Sequence, residues 1–286
     1  MNTIKYFVVS DVHSYYEQLM KALTDRGFEM DNPTHKLIIC GDLFDRGPDS
    51  VKCFEFVKQL ADEGRLEYVM GNHEDLLFEC LSQLYKGIDI DRHHDSNGTL
   101  DTVAQFCGCT KYDLYCRVVR PDDIMAKMKP ITDFLADTCI DFVEIGGFIF
   151  VHGWIPVKVK DNRPFYNIHG KDAIYNPDWE NADGKEWYDA RWYNGMDMWK
   201  SKVRPTGKTV VCGHWHCSYG WSHIRQQRGE FPPTNRKDWQ KSFEPFIDDG
   251  IMAIDACTAY TGIVNCLVFE VHEDGVDFVV DKNTTL

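Results

Sequence analysis

A chain of 286 residues, 43% of them apolar, is long enough to bury a large core, and its formal charge of -14 disfavours nonspecific binding to nucleic acid or an anionic membrane. No apolar run approaches the ~20 residues of a membrane-spanning helix. Eleven cysteines without a repeating spacing fit a reduced, cytoplasmic protein better than a disulfide framework, and nothing resembling a linker divides residues 1–286, so a single domain is expected.

Residues 4–10 form an apolar run that ends in Asp11-Val12-His13, and residues 15–26 follow with Leu19, Met20 and Leu23 at helical spacing. Residues 36–40 repeat the pattern of a strand buried on both faces, stopping at Gly41 before Asp42-Leu43-Phe44-Asp45-Arg46. Gly47 and Pro48 permit a sharp turn and a helix start, and residues 50–60 carry Val51, Phe54, Val57 and Leu60 on one helical face. Residues 66–70 predict a third strand, ending in Gly71-Asn72-His73-Glu74, after which Leu76, Leu77, Cys80, Leu81 and Leu84 mark another helix. This β-α-β-α-β-α series predicts a layered α/β fold with parallel pairing.

Residues 87–141 are more broken, with helices expected at 99–106 and 122–129. Residues 148–151 predict a short buried strand ending in His152-Gly153-Trp154. All eight tryptophans lie between Trp154 and Trp239, and residues 154–247 read as a loop-rich, aromatic, cap-like region interrupted by a strand at 209–212 that ends in Gly213-His214-Trp215-His216. Closing strands are expected at 251–255, 263–271 and 276–280, the last two as a hairpin turned at Glu273-Asp274-Gly275.

Five strand ends therefore deliver Asp11 and His13, Asp42, Asn72 and His73, His152, and His214 with His216. In open α/β sheets ligand sites lie just beyond the carboxyl ends of strands. Carboxylate, imidazole and amide oxygen, without thiolate, suit two divalent ions of hard to borderline character, manganese first, with iron or zinc as alternatives. Two ions about 3.5 to 4 Å apart need a bridging carboxylate and together clamp a phosphoryl group. Asp42 is the expected bridge, with Asp11, His13 and Asp42 on one ion and Asp42, Asn72, His152 and His214 on the other.

In this order, Asp-Val-His, Gly-Asp-Leu-Phe-Asp-Arg-Gly, Gly-Asn-His-Glu, Phe-Val-His-Gly and Gly-His-Trp-His resemble the calcineurin-like metallophosphoesterases, in particular the branch of serine/threonine phosphoprotein phosphatases and diadenosine tetraphosphatases. Ser96-Asn97-Gly98 and Ile254-Asp255 resemble its secondary signatures. The resemblance implies a four-layer α/β/β/α sandwich with a dinuclear metal site at the strand ends, and direct attack by metal-bound hydroxide. It further implies that His73 protonates the leaving group, that Asp45 holds that imidazole, and that Arg46 grips phosphate oxygens with its planar fork. A second phosphate-binding arginine is expected, Arg191 first and Arg204 as its competitor, and Asn72 is shared between metal and substrate.

Three departures from that pattern stand out. Ser14 replaces a glycine, Trp154 replaces a small residue and is expected to narrow the site, and His216 is expected to be an added ligand to the first ion. Glu74 reads as a charge stabilised at a helix start and not as a ligand. His93, His94, His169 and His223 are expected at the surface. Cys107, Cys109 and Cys116 match no common zinc spacing and read as packing residues. The tryptophans are expected to pin loops, with stacking on a substrate base as the alternative.

The expected function is hydrolysis of phosphomonoesters, including phosphoserine and phosphothreonine in proteins, with a phosphorylated protein or small phosphoester as partner. Alternatives are a diadenosine tetraphosphate hydrolase, a nucleic-acid-end phosphatase and a noncatalytic phosphate-binding scaffold. Negative charge weighs against long nucleic acids, whose phosphates need several Lys or Arg contacts. Intact Asp42, Asp45, Arg46 and His73 weigh against a scaffold, which needs no general acid.

Overall fold

The structure, a computed structural model, describes residues 3–160, 164–273 and 275–279. Strands β1 (Ile4–Val9), β2 (His35–Cys40) and β3 (Leu66–Val69) alternate with helices α1 (Tyr16–Asp25), α2 (Ser50–Asp62) and α3 (Asn72–Lys86). Helices α4 (Arg92–Ser96), α5 (Thr99–Cys107), α6 (Lys111–Tyr115) and α7 (Pro121–Thr138) lead to β4 (Cys139–Ile140), β5 (Val143–Ile145) and β6 (Phe148–Phe150). Then follow β7 (Val157–Val159), β8 (Ala173–Tyr175), α8 (Gly184–Ala190), α9 (Gly195–Lys200), β9 (Thr209–Cys212), α10 (Ser218–Arg228) and α11 (Arg236–Lys241). The last elements are β10 (Phe246–Asp248), β11 (Ile251–Ala253), α12 (Thr258–Thr261), β12 (Leu267–His272) and β13 (Gly275–Phe278).

A six-stranded sheet runs in the order β13-β12-β1-β2-β3-β4, and a five-stranded sheet in the order β10-β11-β9-β6-β5. Parallel pairing holds from β1 through β4 and between β6, β9 and β11, as the alternation of strands and helices requires. Period-2 alternation makes the layers. Phe7, Val9, Leu37 and Ile39 face the helices, while Val8, Ile38 and Cys40 face Phe150, Val211 and Ile254 of the other sheet. The far face of the second sheet, with Ile149, Val151 and Val210, packs on Trp154, Trp179, Trp187 and Met198. The result is helices, sheet, sheet, helices, in four layers.

Several elements depart from their sequence-based expectations. α7 runs through Pro130 and does not end at 129, because Ile124, Met128, Ile131 and Leu135 bury one continuous face. Burying four such side chains is worth roughly 6–12 kcal/mol, more than the ~3 kcal/mol an interior proline costs. Residues 154–247 are not mainly loops: short helices and the β7-β8 ladder occupy much of them, and their brevity hides the period. Trp154 is 1% exposed and donates its indole N–H to Val203 O at 2.8 Å, so it builds the second core and does not narrow the site. The indoles of Trp199 and Trp221 likewise bond the carbonyls of Asp249 and Glu244. Asp274 of the expected turn and Val280 of the expected last strand lie outside the described residues. Among the described residues no helix is long and apolar enough to cross a membrane.

Candidate metal centre

The loops after β1, β2, β6 and β9 and the start of α3 converge on Asp42. His13 Nε2 and His73 Nε2 each lie 3.9 Å from Asp42 Oδ2, and His152 Nε2 lies 3.3 Å from Asp42 Oδ1. Two donor groups result, His13–Asp42–His73 and Asp42–His152–His214, with Asp42 common to both. A carboxylate presenting one oxygen to each of two donor groups is what a pair of ions requires of its bridge.

The backbone is bent into place at some expense. Among the described residues, ten non-glycine residues have positive φ, and seven of them sit in these loops: Asp11, His13, Ser14, Asp42, Asp45, Arg46 and His214. Each such residue costs on the order of 1–3 kcal/mol, which surrounding bonds must offset. Ser14, with φ 61°, shows that the position tolerates a side chain, because its hydroxyl lies 2.8 Å from Ser50 Oγ and its N–H donates to Leu43 O. Gly71 is required by contact: a Cβ there would meet Asp42 Oδ1 at 2.3 Å. At Gly98, φ is +85° and a Cβ would meet Arg46 N at 2.3 Å.

The imidazoles differ in what holds their second nitrogen. His13 Nδ1 donates to Phe44 O at 3.0 Å and His152 Nδ1 to Cys40 O at 2.8 Å, which turns each Nε2 towards Asp42. The His214 ring bonds the backbone of Trp192. A histidine anchored through one N–H to a carbonyl, its other nitrogen facing a carboxylate, is the arrangement that metal-ligating histidines adopt. His73 is different: its Nδ1 bonds Asp45 Oδ2 at 2.7 Å, and Asp45 also accepts from Thr99 Oγ1 and Thr102 Oγ1 at 2.7 Å each.

Charge follows from those partners. Burial, with the His73 and Arg46 charges beside it, holds His13 well below the usual imidazole range, and burial next to His152 pushes His214 down to about 3. Burial also opposes charge on His73, but Asp42 and the Asp45 bond outweigh it and raise its pKa. Asp42 likewise overcomes burial at His152 and raises it to about 10. Asp42 itself stays well below the usual carboxylate range despite burial, because His152 and His73 stabilise its charge. So buried an anion, ringed by imidazoles, is suited to divalent cations, which supply positive charge more strongly than protons do.

The remaining expected residues fall into two sets. Asn72 Oδ1 lies 2.8 Å from His152 Nε2, and Asp11 Oδ2 accepts from His214 N at 2.9 Å and from Ser10 Oγ. Asp11 thus adjoins the centre, although the group containing His13 has His73, not Asp11, as its third member. Arg46 is exposed, and its Nη2 lies 3.2 Å from His73 Nε2. Among the described residues His216 joins neither group: its Nδ1 lies 2.6 Å from Ser218 Oγ and its ring packs on Tyr219 and Phe243. The Arg191 fork is taken by Asp75, at 2.8 and 3.0 Å, and by Asp141 at 2.7 Å, while Arg204 pairs with Asp249.

Glu74 does more than charge a helix start. It is 1% exposed, and its carboxylate accepts from the N–H groups of Gly71, Asp42 and Leu43 and from Tyr68 Oη, binding the Asp42 loop to the start of α3. Its place two residues after Asn72 could have suggested this, since a helix-start glutamate has donors within reach. Thr99 and Thr102 carried no such signal. His94, expected at the surface, is buried, His223 is half-buried and Cys116 is exposed, whereas His93 and His169 are exposed as expected.

Comparison with known proteins adds family evidence. A family model described as calcineurin-like phosphoesterase matches residues 4–248. An asymmetrical bis(5'-nucleosyl)-tetraphosphatase of Bacillus velezensis is 35% identical over 193 residues, covering 64% of this chain and 74% of that protein. A symmetrical bis(5'-nucleosyl)-tetraphosphatase of Photorhabdus laumondii is 36% identical over 94 residues, which are 33% of this chain and 31% of that protein. A solved cold-active protein tyrosine phosphatase of a psychrophilic Shewanella species aligns over 96% of this chain and 80% of its own, with a TM-score of 0.46 and 13% identity.

Proposed function

This chain belongs to the calcineurin-like phosphoesterases and is a metal-dependent phosphoester hydrolase, and from that premise we propose that it hydrolyses phosphomonoesters at the centre around Asp42, with two divalent ions, manganese first. The observation that carries the proposal is Asp42 shared by two donor groups beside an imidazole held by a carboxylate. His13, Asp42, His152, His214 and Asn72 would hold the ions, with Asp11 fixing the His214 loop. Lewis-acid polarisation of phosphoryl oxygens and activation of water near neutral pH are what such ions supply.

The protein's own groups do the rest. His73 keeps its proton near the leaving oxygen because Asp45, fixed by Thr99 and Thr102, stabilises the imidazolium. Arg46 reaches from an exposed position beside His73 Nε2 and offers a planar fork to phosphate oxygens. Arg191, already bidentate on Asp75, contributes to positioning α3 and not to gripping phosphate.

A second reading is favoured by the relatives, which are named for hydrolysis of bis(5'-nucleosyl) tetraphosphates. There the group that departs is a phosphate, a weaker base than an alkoxide and less dependent on His73. The manganese-loaded chain assayed on an aryl phosphate, a phosphopeptide, diadenosine tetraphosphate and a 2',3'-cyclic nucleotide separates the readings. We expect the highest kcat/KM on a phosphomonoester. A clear preference for diadenosine tetraphosphate replaces the first reading with the second, and two bound ions with no turnover would leave a phosphate-binding scaffold.

A further inference from the structure

Away from Asp42, a second set of donors converges from α3 and α4. Glu79 on α3 and His93 and His94 on α4 each present a ligand atom, all within 4.8 Å of one another. His94 is the unusual member. It is 0% exposed, and neither of its ring nitrogens has a hydrogen-bond partner among the described residues. Buried side-chain nitrogens are nearly always bonded, so an imidazole with two unbonded ones calls for an explanation. His93, exposed, lies with its ring centroid 4.0 Å from that of His94, and Glu79, half-buried, accepts from Tyr188 Oη at 3.0 Å.

We propose that Glu79, His93 and His94 form a third divalent-cation site, separate from the centre at Asp42, which fastens α4 to α3. Two imidazoles and one carboxylate are a borderline donor set suited to zinc, with water completing a tetrahedron. Tetrahedral bonds of ~2.0–2.2 Å place donors roughly 3.3–3.6 Å apart, so the group must close somewhat from its present spacing. His93 is the member free to move: it is exposed on a five-residue helix, whereas His94 is packed in place. Burial pushes the His94 pKa down to about 4, so its nitrogens carry no extra proton for a cation to displace near neutral pH. The mutual arrangement, the buried unbonded ring and the donor chemistry together give the site its ligand.

The test uses the full chain, stripped with chelator and titrated with Zn²⁺ or Co²⁺. Zinc content at fixed free zinc should fall by one ion per chain in His93→Ala, with affinity for that ion weakened at least ~10-fold. His94→Phe, which fills the same space without nitrogens, should lose the same ion. In the Asp42→Asn background, one Co²⁺ per chain should still bind with the strong visible absorption of a tetrahedral ion, and adding His93→Ala should abolish the band. His93→Ala alters only an exposed side chain, so its result decides the matter should His94→Phe fail to fold. Unchanged zinc content and affinity in His93→Ala, or a cobalt band that survives in the double variant, would overturn the site.

Discussion

The histidines of the two donor groups that share Asp42 rest on partners of two kinds: His73 on a carboxylate, and His13, like His152, on a backbone carbonyl. On one side His73, at the start of α3, rests on the Asp45 carboxylate, which Thr99 and Thr102 hold from α5. On the other side His152 and His214 come from the second sheet, and their rings rest on the backbone of Cys40 and Trp192. A carboxylate stabilises the charged imidazole, whereas a carbonyl mainly selects which nitrogen keeps its proton. Residue type alone therefore does not assign the job. On the proposed function, the Asp45 partner would fit His73 to donate a proton, while the carbonyl partners would leave His13 and His214 to face an ion.

The largest blow to both sides at once is Asp42→Asn. It should remove both ions of the centre and lower kcat/KM by ~10³-fold or more, because a weakened bridge is shared by two cations. Metal content per chain and turnover measured together check this, and a variant that keeps both ions and near wild-type rate contradicts the bridging role. His73→Asn should sharpen the contrast by keeping both ions while slowing an alkyl phosphate ~10² to 10⁴-fold and an aryl phosphate far less. Equal losses on the two substrates would leave His73 a positioning role only. His152→Ala should do the opposite, releasing one ion and slowing both substrates alike, which mass spectrometry and parallel kinetics would register.

The smallest effect is expected one layer out. Thr99→Val or Thr102→Val loosens Asp45 and should cost ~10-fold on the alkyl substrate with metals intact. The pH profile carries the sign. In the proposed role His73 acts protonated, and the Asp45 bond favours that form, so alkyl-phosphate turnover should hold below its pKa and fall as pH rises through it. Asp45→Asn removes one cause of the rise, so the alkaline limb should move to lower pH. A limb that stays in place would assign it to some other group.

The first half of the chain was legible because its chemistry is local. β1, α1, β2, α2, β3 and α3 follow from periodicity, and the strand ends announce Asp11, His13, Asp42 and His73 by their place after apolar runs. The candidate donors follow from their recurrence at strand ends, and the structure gathers His13, His73, His152 and His214 around Asp42. The second half was harder, since helices such as α8 and α9 are seven and six residues long, too short to display a period.

The sequence by itself determined the order of the first six elements, the α/β class and the kinds of donors carried to the strand ends. Tertiary structure decided which donors meet. Asp11 and His214 are 203 positions apart and bond because β1 and β9 end at the same edge of two stacked sheets. His216, two residues beyond His214, turns instead to Ser218 and Phe243; Arg191 is spent on Asp75 and Asp141; His94 is buried and Glu74 ties the Asp42 loop to α3. Periodicity reports the face a residue takes on its own helix or strand. How two sheets and their loops stack depends on contacts between segments far apart in the chain, and no local pattern encodes those.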